Sequence, residues 1–135
     1  MRIILVFLMF KMSLFGSSLK IGENAPNFIL NDQDGKQHQL SDYKGKKLVI
    51  YFFPKAFTPG WTKQACGLRD NYSDFTLNNI SVLGVSYDSE SKLSEFKEQY
   101  NLKFDLLSDS KKIMGELYDV NSFYFFPQRK TFLID

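Results

Sequence analysis

The sequence predicts an α/β fold in which a sheet containing parallel strand pairs carries helices on its faces. Three observations lead there. Residues 48–53 (Leu-Val-Ile-Tyr-Phe-Phe) and 80–87 are apolar runs without alternation, as in strands buried on both sides. Between and after them, apolar residues recur at spacings of three and four, as on one face of a helix. The chain has 135 residues, 44% of them hydrophobic, enough for one packed core and too few for a second domain.

The elements follow in order. Residues 1–18 read as a leader: Met1-Arg2, an apolar run over 3–10, then Gly16, Ser17 and Ser18. A positive start, a short apolar middle and small residues before a cut after Ser18 are what an export signal requires, and the run is too short to span a bilayer. The expectation is a periplasmic or secreted protein with no membrane association once the leader is removed. Translation from Met12 would instead leave a cytoplasmic one. From residue 19 to 135 there is one continuous domain.

The turn cluster Asn31-Asp32-Gln33-Asp34-Gly35 predicts a short hairpin between residues 28–30 and the segment ending at Leu40. His38, within Lys-Gln-His-Gln, reads as solvent-facing. Residues 48–53 should form a central strand. Ala65, Leu68, Tyr72 and Phe75 mark one face of a helix starting near Thr62. Residues 80–87 form the next buried strand. Leu93, Phe96 and Tyr100 mark a second helix, with Ser89 or Ser91 as its cap. A short strand at 104–107, a helix at 111–118 and a last strand at 131–134 complete the alternation. Residues 123–126, Phe-Tyr-Phe-Phe, read as core or loop packing.

Composition removes several functions. The net charge of +2 resides in the leader, because Arg2 and Lys11 are the only charged residues before Leu19. A formally neutral domain has no electrostatic attraction for nucleic acid. One cysteine, Cys66, and one histidine, His38, exclude an internal disulfide and any site built on several thiolates or imidazoles, so neither a metal nor a cofactor is expected.

Chemistry concentrates between the central strand and the first helix, in Pro54-Lys55-Ala56-Phe57-Thr58-Pro59-Gly60-Trp61-Thr62-Lys63-Gln64-Ala65-Cys66. Free N–H groups and the positive dipole end at a helix start stabilise an anion and lower a thiol pKa. Thr58 adds a hydroxyl, and Pro59 and Gly60 shape a tight approach.

These residues resemble the peroxiredoxins, specifically the Q type, also called bacterioferritin-comigratory protein. The resemblance covers nearly all of the chain from Leu19: Leu-Lys-Ile-Gly-Glu-Asn-Ala-Pro-Asn-Phe at 19–28, Leu-Val-Ile-Tyr-Phe-Phe-Pro-Lys at 48–55, Ala-Cys-Gly-Leu-Arg-Asp at 65–70 and Arg-Lys-Thr-Phe-Leu-Ile-Asp at 129–135. It implies a thioredoxin-like fold, a central mixed sheet flanked by helices. It also implies reduction of hydrogen peroxide or organic hydroperoxides, with thioredoxin or a similar dithiol protein as the reductant and a monomer or weak dimer as the working state.

The family motif is Pro, three residues, Thr, two residues, Cys, and that cysteine attacks the peroxide. Here it runs Pro54, Thr58, Trp61. By the resemblance Pro54 shields the site, Thr58 hydrogen-bonds the peroxide, Arg129 steadies the developing charge, and Cys66 stands at the resolving position. Trp61 occupies the peroxidatic position without a nucleophilic atom, so the chain as written is expected to be inert. Cys66 is a poor substitute, because five residues along a helix turn it away from position 61 and carry it more than a turn from the free N–H groups.

Three readings of Trp61 are open. The codon is UGA, which encodes selenocysteine in some peroxiredoxins and is read as tryptophan. Alternatively, a single-base change has turned a cysteine codon into UGG. In the third reading the chain is a non-catalytic relative, a thioredoxin-fold binding module whose tryptophan fills the peroxide pocket. The family also continues past the strand at 131–134 with a turn, a strand and a helix. The resemblance therefore implies a domain truncated at Asp135, either a fragment or a destabilised chain with uncovered sheet surface.

Overall fold

The computed structural model describes residues 2–5, 19–121 and 126–135. The architecture grows from β4 (Lys47–Phe52), whose successive side chains point to opposite faces of the sheet. Leu48, Ile50 and Phe52 enter one core cluster, while Val49 and the following Phe53 enter the other. A strand with both faces covered has no need of alternation, which is why its sequence is uniformly apolar. β4 pairs in parallel with β5 (Ile80–Ser86) and antiparallel with β7 (Lys130–Ile134). It is central, as expected.

β5 pairs in parallel with β6 (Asp105–Ser108), and β2 (Ile29–Asp32) adds antiparallel to β6 and closes a hairpin with β3 (Gln37–Gln39). β1 (Ile3–Leu5) lies antiparallel on β7, Ile4 opposite Leu133, and Arg2 and Asp135 exchange backbone hydrogen bonds of 3.1 and 3.0 Å. The order across this seven-stranded sheet is β1-β7-β4-β5-β6-β2-β3. β1 falls inside the segment read as a leader. The remainder of that segment, including the cut after Ser18, lies outside the described residues, as do residues 123–125 of the aromatic run. Phe126 is exposed.

Helices cover both faces, giving the mixed, helix-flanked sheet of a thioredoxin-like fold. α1 (Pro59–Asp70) and α3 (Glu90–Gln99) bury Trp61, Ala65, Leu93 and Phe96 against the Phe53 face, and α4 (Ile113–Leu117) packs Met114 on the other. Ser89 caps α3 through Lys92 N–H, one of the two caps expected. The helix predicted through Phe75 is divided. Asn71 ends α1, its side-chain amide donating to the Gly67 carbonyl at 2.8 Å, and α2 (Tyr72–Leu77) starts afresh. A side chain that competes for a helix carbonyl loosens the helix there. Leu68, Tyr72 and Phe75 nevertheless pack on the same cluster.

His38 corrects one expectation. It is buried, 6% exposed, with Nδ1 at 2.6 Å from the Tyr43 hydroxyl and Nε2 at 2.7 Å from Asp32 Oδ2. The strand period puts Gln37 outside and His38 inside, where Asp32, Asp105 and Tyr43 supply the polar partners. Asp32 Oδ1 in turn accepts the Asp34 and Lys36 N–H groups of the hairpin turn. Asp105 accepts from Lys97 Nζ at 2.8 Å and Gln33 Nε2 at 3.0 Å. Burial pushes its carboxyl up, but Lys97 and Gln33, with His38 behind them, outweigh burial and hold it below the usual aspartate value.

A lowered folded pKa means stability that is complete above the ordinary aspartate value of about 3.9 and is lost as pH falls through the folded one. Asp105→Asn should therefore cost about 1 kcal/mol or less at neutral pH, and its deficit against the parent should shrink as pH drops below about 4. Urea midpoints measured between neutral pH and acid check this.

Candidate functional site

β4 delivers the chain to the site at the C-terminal edge of the parallel pair, where βα loops of such sheets gather functional groups. Phe53 N–H still donates to Val85 O at 3.0 Å, so the loop is clamped until its first residue. Ala56, 3% exposed, donates its N–H to Asp88 Oδ2 at 2.8 Å across the site. Phe57 then adopts φ +65, a left-handed conformation that costs a bulky residue on the order of 1 kcal/mol. It is held by packing: its ring lies 5.1 Å from Phe96 and 6.3 Å from Tyr100, with Lys92 Nζ 4.9 Å from its centroid. This reversal lets Thr58 begin α1.

Thr58 is the N-cap residue, but its hydroxyl makes no capping bond and donates instead to Lys55 O at 2.7 Å. Its carbonyl accepts Thr62 N–H at 2.9 Å, the first bond of the helix. Pro59 at N1 has no N–H to lose, leaving Gly60 and Trp61 as the backbone donors of the first turn without a partner among the described residues. Pro54 is half-buried at the loop's entrance.

Arg129 arrives from the other end of the chain. The β7–β4 ladder begins at Lys130 opposite Phe52, and on either side of Arg129, Gln128 N–H donates to Val120 O and Lys130 Nζ to Asp119 O. Its guanidinium lies against Gly60, where a Cβ would collide with it. A side chain at 60 would displace that guanidinium from the helix start. Arg129 itself is exposed.

Trp61 does not share that surface. Its indole is 1% exposed and stacks on Phe53 at 4.2 Å and 6° between planes, with Tyr51 at 6.4 Å. Room for the stack comes from Gly84 on β5, where a Cβ would meet Leu106 Cδ2 at 2.7 Å and Phe53 Cε1 at 3.2 Å. Among the described residues, Trp61 Nε1 has no hydrogen-bond partner, and neither has the buried Thr62 hydroxyl. An unmet buried donor costs about 1–3 kcal/mol. Burial also pushes the neighbouring Tyr51 hydroxyl up. Cys66, half-buried, sits one residue past the Trp61–Ala65 stripe.

Thr58, the main chain of position 61 and the Arg129 guanidinium against Gly60 therefore lie at the start of α1, with Pro54 at the entrance of the loop before it, while the indole leaves for the core and Cys66 stands a turn further on. The sequence reading missed Phe57, Gly84 and Asp88. For Asp88 the only signal was a polar exit, Ser86-Tyr87-Asp88-Ser89, from a buried strand. Among the described residues, the one group that could hold a metal ion is Asp32, His38 and Asp105, with ligating atoms within 4.8 Å of one another. Both His38 nitrogens there are already taken by Tyr43 and Asp32, and the group lies on the β2–β3 side of the sheet.

Residues 21–135 match the AhpC/TSA family. The chain is 46% identical to peroxiredoxin Bcp of Escherichia coli, covering 75% of this chain and 73% of that one. Its structure is similar to peroxidoxin BcpB of Mycobacterium tuberculosis, with a TM-score of 0.77, 33% identity, and 84% and 77% of the two chains covered. It is also similar to the bacterioferritin comigratory protein of Xanthomonas campestris, which has alkyl peroxide reduction activity (TM-score 0.75, 30% identity, 80% and 73% covered).

The stack of Gly84, Phe53 and Trp61 yields a direct check, because Trp61 is the chain's single tryptophan. Gly84→Ala should destabilise the fold by about 1–3 kcal/mol. It should also shift Trp61 emission to the red, both read from one fluorescence-detected urea titration.

Proposed function

This chain belongs to the AhpC/TSA family, among the Bcp-type peroxiredoxins, and from that premise we propose that it carries the frame of a hydroperoxide-reducing thiol peroxidase whose nucleophile position is taken by Trp61. The observation that supports this is the meeting at the first turn of α1 of the N-cap Thr58, the first-turn N–H groups and the Arg129 guanidinium, which lies against Gly60. The frame is built for an anion and for charge developing on oxygen.

With cysteine at 61, the reaction would run in steps that the frame accommodates. The thiolate attacks one peroxide oxygen, an S–O bond forms and the O–O bond breaks, and the departing alkoxide or hydroxide takes a proton. Donors at the helix start and Arg129 meet the negative charge at both stages. The resulting sulfenic acid condenses with the Cys66 thiol, forming an S–S bond and releasing water. A dithiol reductant of the thioredoxin kind then regenerates both thiols by exchange. Five residues of helix separate the two positions by about 7.5 Å along the axis, more than a disulfide spans, so α1 must unwind locally for the second step.

Tryptophan performs none of this, since its ring nitrogen is a donor only. That Nε1 meets no acceptor among the described residues supports the readings in which tryptophan is not the working residue. A second reading, the non-catalytic binding module, is favoured by the close fit of the ring on Phe53.

Peroxide consumption with a dithiol reductant separates them. The chain as written should be inert and Trp61→Cys active. Turnover by the written chain would overturn the mechanism, and a folded but inert Trp61→Cys would favour the binding module. Stability gives an independent reading: if the core is settled around the indole, Trp61→Cys should lose about 2–4 kcal/mol by urea unfolding, and if cysteine is the working residue the loss should be far smaller.

A further inference from the structure

We propose that Asp88 is the positioning residue of the reaction loop: its carboxylate, by accepting the Ala56 N–H, holds residues 54–58 in the one conformation that starts α1 beside Arg129. Asp88 belongs to no part of the Pro-Thr-Cys motif and sits on the connection between β5 and α3. Its Oδ2 is shared by Ala56 N–H at 2.8 Å and the Ser86 hydroxyl at 2.8 Å, and Ser86 Oγ accepts Asp88 N–H at 3.2 Å in return. The Ser108 hydroxyl donates to Asp88 O at 2.6 Å from the end of β6. Three segments, the ends of β5 and β6 and the reaction loop, thus meet on one residue.

The position of that contact gives it a role in the site. Ala56 immediately precedes Phe57, whose φ of +65 is the strained point of the loop, and Thr58, from which α1 begins. With the Ala56 amide released, Phe57 is opposed in relaxing to an ordinary conformation only by the packing of its ring and by the Thr58 hydroxyl on Lys55 O. The Thr58 carbonyl and the first-turn N–H groups would then lose their fixed aim. The carboxylate's hydrogen bonds go to Ala56 and Ser86 and not to position 61, so its action is through the loop. This inference rests on the peroxidase reading.

The test uses the full chain, as written and as Trp61→Cys, each with Asp88→Ala or Asp88→Asn, at temperatures well below melting. Asparagine keeps a carbonyl oxygen for Ala56 and alanine does not. In the written chain, Asp88→Ala should speed hydrogen exchange at the Ala56 amide by roughly ten- to a hundredfold, and Asp88→Asn should restore most of the protection. In the Trp61→Cys chain, kcat/KM for a hydroperoxide should fall by roughly tenfold or more with Asp88→Ala and recover with Asp88→Asn. Should Asp88→Ala not fold, Asp88→Ser, too short to reach Ala56, takes its place. Unchanged exchange at Ala56 overturns the proposal, and so does faster exchange with an unchanged peroxide rate. A Trp61→Cys chain that is inert while Ala56 stays protected refutes the peroxidase reading and the positioning role with it. An active Trp61→Cys chain indifferent to Asp88→Ala refutes the positioning role alone.

Discussion

The parallel ladder between β4 and β5 is the constraint from which the site follows, because it brings two chain exits to the same edge of the sheet. β4 leaves there as the loop 53–58, and β5 leaves as residues 87–89. An antiparallel pairing would have sent them to opposite edges. Side by side, the exits can be stitched together, and the stitch is Asp88 on Ala56. The ladder also fixes the depth of the core beneath them, since Gly84 on β5 leaves the space in which Phe53 lies flat. Position 61 inherits both conditions: a main chain presented at the surface edge and a hydrophobic floor directly behind it.

Those two conditions let position 61 take side chains of different kinds without disturbing the rest. Cysteine at the start of α1 would be served by the N–H groups and the guanidinium. Tryptophan turns from them to the floor, where a ring on a ring is worth about 0.5–1.5 kcal/mol beyond the burial itself. The cost is an orphaned N–H. The two terms are of similar size, so burial of the indole's apolar area decides that the ring stays inside.

Much of this was legible in the sequence, and the reason is periodicity. The uniform apolar character of residues 48–53 and 80–87 gave central strands, and the turn cluster at 31–35 gave a hairpin. The spacing of Leu93 and Phe96 gave the buried face of α3. What stayed hidden depends on partners distant in sequence. His38 looked solvated because its neighbours are polar, yet its burial is decided by Asp32 and Tyr43 across a hairpin and by Asp105 from another strand. Asn71 hid its helix break in a side-chain bond to Gly67 that the apolar pattern does not register. Asp88 reads as one acidic loop residue among many, and only the pairing of β4 with β5 reveals what it accepts.

Arg129 shows the same dependence from the far end of the chain. Nothing local aims its guanidinium at Gly60; the register of β7 on β4 does, with Lys130 opposite Phe52 and the residues on either side tied to the segment at 119–120. These components of the frame are therefore placed by contacts that do not involve the side chain at 61: Thr58 by Lys55, Ala56 by Asp88, and the backbone of Arg129 by the ladder that follows it. A frame whose parts are positioned independently of the reacting atom persists when that atom is absent. Thr58 and Arg129 therefore stand beside position 61 whatever side chain it carries. Behind it, the indole nitrogen meets no acceptor among the described residues, and a single polar substitution among its neighbours would supply one.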